Sequence, residues 1–577
     1  MIRPVLRCIV VVLSLGGAIT LAQTMPAEAD PLITAAAAAV ESATLLSFAE
    51  TVEKAASDGL ADPAKADLSR LVQLATLREF SRWFGRVQQP SAEQKGTLKW
   101  LIRQRRLPPE LLLSVTSSDP PDRVLAILTA LRDDPRNRLE QLPELTAAIC
   151  LVWDDPDRFG GEDRPADLER ITRVFRRYAD DAGPARNATR ELSVAQLVFV
   201  VDSILSEAEV DWARRQYADV DVGEAYFEVG YGPTRQLSRD AKADAPLDAY
   251  TLANLRKFGG RLIDQAYYAT QVGKVFGIPT AICTALEREG QESQAWVAYL
   301  DGVGRWNTAS GRYRMHGASL GDVHDPQTME LFPQAELSLI AAMAATPAAR
   351  RWAATALCKL LDRAPPEQQI AALRRAAELS PADRRVWRRI AEWGQQYAPG
   401  TDEHDEIVSL IDRHLMPRSE AAALHTRLRM IEKLAAEDRA AALAELRPLF
   451  ERRIELVALI QLAQAAALLE KRDTDGALRA VGELINRADA IPAQATQAMR
   501  IIDDVLRERS ELERLASVYD QVWKGMRPPP PSPCPHTTAY YAIGQEYAQL
   551  LEEMGRNHHL ANVREKLGQL YGEPVRR

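Results

Sequence analysis

The chain has 577 residues, 46% hydrophobic and 26% charged, the balance of soluble globular protein and a length for roughly three or four domains. A formal net charge of -8 speaks against nucleic acid as a partner, and basic clusters such as Arg103, Arg105 and Arg106 read as solvated helix faces. Beyond the N-terminus no segment is long and apolar enough to cross a membrane.

The N-terminus reads as an export signal. Arg3 and Arg7 form a basic start, and Cys8 to Ala22 is an apolar run. Thr20-Leu-Ala22 or Ala27-Glu-Ala29 supplies a small-residue cleavage site. Residues 1–29 are therefore expected to be a signal peptide, and the mature chain periplasmic or extracellular. The alternative is an uncleaved anchor, for which the run is short. Cys8 opens the run rather than following it, so a lipoprotein reading fails. Cys150, Cys283, Cys358 and Cys534 remain after cleavage. Their wide, irregular spacing leaves both disulfides and buried thiols open. Asn187-Ala-Thr189 matches a glycosylation acceptor, a pattern short enough to arise by chance.

Residues 30–141 read as all-helical. Ala35 to Lys54 is alanine-rich, Leu68 to Phe84 and Gly96 to Arg105 continue in that style, and Pro108 and Asp119-Pro120-Pro121 are breaks. Residues 142–330 change texture and are expected to form an α+β domain. Leu145 to Trp153 is an apolar run ended by Asp154-Asp155-Pro156, and Leu168 to Tyr178 is helical. Leu197 to Val201 is apolar enough for a strand. Ser206 and Glu209 form a capping box at a helix start. Tyr226 to Val229 has strand content. Gly259-Gly260 marks a turn, after which Leu262, Ala266, Ala269, Gly273 and Phe276 recur at helical spacing. Gly277 stops that helix and Pro279 keeps it from resuming. Ile278 to Leu286 reads as a strand. Gln294–Leu300 and Arg305–Ala309 flank Asp301-Gly302-Val303-Gly304 as a hairpin. With Leu300 opposite Arg305, the residues Gln294, Trp296, Ala298, Asn307 and Ala309 share one sheet face.

From Leu331 the pattern is helical again, and residues 331–527 are expected to be a helical-repeat region. Gln368 to Leu379 is one helix, and Ser380-Pro381 offers a cap and first-turn proline for the next. That helix places Val386, Ile390, Trp393 and Tyr397 on one face. The pair resembles a degenerate tetratricopeptide-type hairpin. Residues 528–536, with the run PPPPSPCP, read as a stiff linker. Residues 537–577 read as a helical pair, Tyr540–Met554 and His559–Tyr571.

The stretch around the glycine turn carries a further signal. Its residues are Gly259-Gly260, Asp264-Gln265-Ala266, the helix to Gly277-Ile278-Pro279, Ala295-Trp296-Val297, and Trp306 with Ser310-Gly311-Arg312-Tyr313. Together they resemble the transglutaminase-like superfamily, a papain-like α+β fold. The resemblance covers about Leu142 to Thr328 and is strongest from Gly259 onward. It implies G-G-x-C-x-D-Q-A at the helix start, H-A-W-V on a strand and a carboxylate on the next strand. A cysteine at a helix N-terminus is favoured as thiolate by the helix dipole. A histidine shares its proton, and the carboxylate fixes the histidine tautomer. The implied chemistry is acyl transfer through a thioester.

In this chain the nucleophile position is Leu262, the histidine position Gln294, and the carboxylate position Asn307 or Ala309. Leucine has no nucleophile, and glutamine is no base near neutral pH. The expectation is a pseudoenzyme with no catalytic residue, metal or cofactor. Gly260, Asp264, Gln265, Trp296, Trp306, Arg312 and Tyr313 would line a cleft for a protein or cell-wall peptide. Turn formation and packing also account for Ser310–Tyr313 and for Asp325-Pro326-Gln327-Thr328.

Two other readings stay open. One is a working acyl transferase using non-standard residues, with Cys283, His316 and His324 as candidates. Cys283 reads first as a small buried hydrophobe. Asp322, His324 and Asp325 fit no strong metal-ligand spacing, and His558-His559 would point apart on a helix. The other makes the helical repeats the binding part, with a concave protein-binding surface, and the middle domain a spacer.

Overall fold

The computed structural model describes residues 30–155, 168–180, 189–231, 250–285, 294–308, 311, 321–488, 490–529 and 538–570. Among the described residues the chain is mostly helical and carries one five-stranded antiparallel sheet, an α+β arrangement flanked by helical modules. Residues 1–29, with the expected export signal, lie outside the described residues, as do Asn187 and Cys534.

The N-terminal helices include Pro31–Glu41, Leu45–Gly59 and Leu68–Phe84. The alanine-rich stretch is split at Ala43, whose φ of 55° ends the first of these. Their starts are capped locally: Asp30 accepts from Leu32 N–H, and Asp67 from Ser69 and Arg70 N–H.

Two segments expected as strands are helices. Leu197–Val201 lies in the helix Val194–Val201, whose start is fixed by Gln196 Oε1 accepting from Ser193 N–H at 3.0 Å. It is buried almost all round, and a short apolar run of that kind carries no period to separate helix from strand. Tyr226 lies in the helix Val222–Glu228, which starts where Asp221 accepts from the Gly223 and Glu224 amides. The Ser206–Glu209 capping box forms as the spacing predicts.

The sheet runs β3-β2-β1-β4-β5. Its strands are β1 (Thr280–Ala285), β2 (Gln294–Leu300), β3 (Trp306–Asn307), β4 (Asp322–His324) and β5 (Leu331–Pro333). The last stands where the sequence reads as helical; Val323 pairs Phe332 across a tight turn held by Asp325. The helix Leu262–Val275 packs on β1 and β2. Gly273 allows that approach, since a Cβ there would come within 2.6 Å of Thr280 Cγ2.

Both faces of the sheet are buried, in different cores. Ala281, Cys283, Trp296, Ala298, Val323 and Phe332 join a core that runs from the N-terminal helices through to Met430. Ala295 and Val297, with Ile282 and Tyr299 packed against them, join Leu262, Ala266 and Ala269.

The hairpin register differs by one from the sequence expectation. Leu300 pairs Trp306 and Tyr299 pairs Asn307. Asp301 joins the ladder by donating its N–H to Arg305 O at 2.8 Å, which shortens the loop to Gly302–Gly304. The Asp301 carboxylate accepts from Val303 and Arg305 N–H, and Gly304 takes φ 77°. A shift of one residue moves a strand's side chains to the other face. Asn307 therefore shares a row with Tyr299 rather than with Trp296 and Ala298, and Trp306 joins the Trp296 row. Ala309 lies outside the described residues.

In the C-terminal half, Pro366–Leu379 is followed by the helix Arg384–Gly394. Its cap is Asp383, accepting from Arg385 N–H at 3.0 Å, and not Ser380-Pro381. Ser380 still closes the preceding helix, and Pro381 C=O accepts from Trp387 Nε1 at 2.9 Å. Val386, Ile390 and Trp393 are buried, and the Trp393 and Tyr397 rings meet at 4.4 Å. Beyond Glu420 each helix packs on the next to Gly568. Residues 530–537, most of the proline run, lie outside the described residues; Trp523 before them donates to Tyr540 O after them at 3.1 Å. Among the described residues no helix is long and apolar enough to cross a membrane.

The register is testable by cross-linking. Tyr299→Cys with Asn307→Cys should form a disulfide on oxidation, because the two residues are directly opposed. Ala298→Cys with Asn307→Cys should not, and peptide mass spectrometry distinguishes the outcomes.

Candidate functional site

The start of the Leu262–Val275 helix is shaped by a close backbone approach. Gly259 has φ 78°, and a Cβ on it would lie 2.3 Å from Gly230 O. Gly260 N–H donates to that same oxygen at 2.9 Å, and Tyr231 bridges to Gly260. A Cβ on Gly260 would meet the Asp264 side chain at 2.6 Å. The double glycine thus serves the crossing of the 230 segment over the helix entry.

Asp264 and Gln265 are turned to the same task. Asp264 Oδ2 accepts from Arg261 N–H at 2.8 Å, and Oδ1 accepts from Tyr250 OH at 2.7 Å. A carboxylate in the first turn also suits the positive end of the helix dipole. Gln265 Nε2 donates to Val229 O at 2.6 Å, while its buried Oε1 has no hydrogen-bond partner among the described residues. Leu262 is 2% exposed and sits in the apolar cluster with Ala266, Ala295 and Val297.

Among the described residues, the indoles expected in the cleft stand away from this start. Gln294 pairs Ala285 at the end of the β1–β2 ladder; its side chain lies outside the described residues, as do Arg312, Tyr313 and His316. Asn307 Nδ2 donates to Tyr299 OH at 2.9 Å. Trp296 and Trp306 lie on the far face of the sheet. The indole N–H of Trp296 donates to Gln334 Oε1 at 3.2 Å, with Gly321 against its ring. Trp306 packs edge-on to Phe199 at 5.5 Å. The sheet itself therefore separates these indoles from Gly260, Asp264 and Gln265.

The described substitute candidates, Cys283 and His324, have other surroundings. Cys283 is fully buried opposite Trp296. His324 is exposed, its Nδ1 3.3 Å from Met329 O, and burial pushes Asp322 above its ordinary range. Asp325 is used in the β4–β5 turn, accepting from Gln327 N–H at 2.8 Å. Gly311, at φ 80°, lies against the Tyr226 ring. Among the described residues no cluster of three His, Cys, Asp or Glu is placed to hold a metal. Tyr268 of this helix and Tyr217, hydrogen-bonded at 2.6 Å, are both raised by burial, Tyr268 to about 12. They are phenols at neutral pH.

Comparison with protein-family models, curated proteins and solved structures finds no match to this chain.

A charged cavity lies elsewhere, where the N-terminal helices, the β4–β5 turn and the C-terminal helices meet. Glu110, Asp325, Arg351, Asp383, Arg384 and Arg385 supply its charged wall. Two of its ion pairs are closed. Arg385 forks onto Asp383 through Nη2 at 2.9 Å and Nε at 3.1 Å, and Arg384 pairs with Asp325 while stacking on Phe332. Glu110 is different. It is 5% exposed, its Oε1 accepts no hydrogen bond among the described residues, and Arg351 Nη2 stands off at 3.7 Å. Burial pushes this carboxyl up to about 6, against the pull of Arg351 and the Trp352 indole.

These residues come from widely separated segments and share no motif spacing, so sequence reading does not collect them. One signal was present. Arg384 and Arg385 stand in the first turn of a helix, where the dipole disfavours cations, so they require nearby carboxylates.

Two outcomes follow. Leu262→Ala should cost about 3 kcal/mol in urea unfolding, the range for emptying a buried leucine site. Glu110 has a folded pKa raised from 4.5 to about 6, so its contribution is fully present below 4.5 and is lost as pH rises through about 6. Glu110→Gln should remove that dependence. The stability of the variant relative to wild type should climb across this window, by at most about 2 kcal/mol, and then level off.

Proposed function

We propose that this chain is an exported, non-catalytic binding protein. Its α+β unit is transglutaminase-like in build, has lost the residues of acyl transfer, and is carried between helical modules to engage a protein or cell-wall peptide. One observation carries this reading: Leu262 fills the first turn of the helix as a buried apolar anchor, and the carboxylate beside it is engaged as the helix's own cap. A reactive thiolate at this place would need access for substrate and a facing base. Gln294 offers no base. Export is supported by Arg3, Arg7 and the apolar run from Cys8 to Ala22.

A second reading assigns binding to the helical repeats. It draws support from the helices beyond Glu420, each of which packs on its neighbour in the manner of a solenoid.

Purified protein should catalyse no thiol-dependent transamidation or amide hydrolysis, assayed with a glutamine peptide and an amine donor. Leu262→Cys alone should stay inert. Leu262→Cys with Gln294→His and Ala309→Asp should recover a trace at most, since catalytic groups act as a unit. Electrophile labelling of wild type at Cys283, with turnover abolished in Cys283→Ala, would falsify the non-catalytic reading.

A further inference from the structure

We propose that the cavity beside Glu110 is a binding site for a small aliphatic carboxamide. The cavity has about 70 Å³ of space for water centres. At roughly 10–15 Å³ for each water, that admits several waters or one molecule of about half a dozen heavy atoms.

The wall decides the ligand's charge. Three guanidiniums, of Arg351, Arg384 and Arg385, face a cation; three carboxylates, of Glu110, Asp325 and Asp383, face an anion. Neither ion is favoured, and a neutral group is. Two of the three pairs have spent their hydrogen bonds on each other. Asp383 holds the Arg385 fork and the Arg385 amide; Asp325 holds Arg384 and the turn amides. The third pair is open. Glu110 Oε1 has no hydrogen bond among the described residues, and Arg351 Nη2 lies 3.7 Å away, too far to donate to it. A buried carboxylate oxygen left in this state is costly.

A carboxamide completes the pair. Its N–H₂ donates to Glu110 Oε1, and its C=O accepts from Arg351 Nη2. The donor and acceptor of one planar group then lie side by side, as the carboxylate and guanidinium do. Beside these ions the wall carries Ser114, Ser193 and Gln327, and an apolar part that includes Val198, Phe199, Ile340 and Met343. Water bridges the polar pair but gains nothing from these four side chains. A short branched alkyl group does.

The test uses the full chain and isobutyramide, read by saturation-transfer NMR and titration. Isobutyrate, isobutylamine and isobutanol serve as the anionic, cationic and hydroxyl comparators. The amide should bind with Kd of about 1 mM, near what six heavy atoms can supply. Each comparator should bind at least tenfold more weakly. Glu110→Met, which removes the acceptor but keeps the volume, should weaken the amide tenfold or more. Ala195→Leu, which narrows the cavity without touching its charges, should do the same. Thermal melts establish that each variant is folded. If Glu110→Met does not fold, Ala195→Leu decides. No amide binding to wild type, comparators binding as tightly as the amide, or binding unchanged in a folded variant would each overturn the site.

Discussion

The sheet has two buried faces, and the rest of the structure depends on both being covered. Antiparallel sheets often leave one face to water and then alternate polar with apolar residues. Here β2 reads Ala295, Trp296, Val297, Ala298 without a polar position, because successive residues enter different cores. One face closes against the N-terminal helices and the first C-terminal helices. The other closes against the Leu262 helix and its neighbours. Burying Trp296 at 2% exposure commits a side chain whose removal costs about 3–5 kcal/mol in a typical core. Covering both faces makes the sheet a partition. Groups on the helix side and groups on the indole side cannot share a cleft.

Modules that meet through such a core also meet through their charges. Arg78 on an N-terminal helix donates through Nη2 to both Asp362 oxygens, at 2.9 and 3.2 Å, and through Nη1 to Lys359 O at 2.5 Å. Gln327 in the β4–β5 turn donates to Ser114 O at 3.0 Å and Asp119 Oδ2 at 2.9 Å. These contacts join residues more than two hundred positions apart and tie the orientation of the helices to the sheet. Buried ions of this kind add little net stability over apolar replacements but penalise any arrangement that leaves one unpaired. The junction is therefore specific. It is also where packing is imperfect, because rigid arginine forks and capped helix ends do not fill space as aliphatic side chains do. The Glu110 cavity is the space left there.

The helix start shows how a polar-looking sequence is absorbed by local structure. Gly259-Gly260, Asp264 and Gln265 resemble parts of an active site in sequence. In three dimensions they let one backbone segment cross another, cap the helix, and anchor Val229. Tyr250, separated from Asp264 by fourteen residues, completes that carboxylate's partners.

What the sequence by itself determined was local. The glycine-bounded helix at Leu262, the capping box at Ser206, the hairpin at Asp301–Arg305 and the succession of C-terminal helices each follow from short-range spacing and turn chemistry. So does the absence of a thiol at Leu262. What only the tertiary structure decided was long-range. Val194–Val201 is a helix because its almost all-round burial outweighs strand propensity, and Val222–Glu228 because Asp221 caps it and one face is buried. The hairpin register turned on whether Asp301 joined the ladder, a one-residue choice that sends Asn307 and Trp306 to opposite faces. The Glu110 cavity needed residues from six separate segments brought together. Backbone preference acts over a few residues and is written in neighbouring side chains. Burial and charge pairing act between segments far apart in the chain, and their partners exist only once the cores have closed.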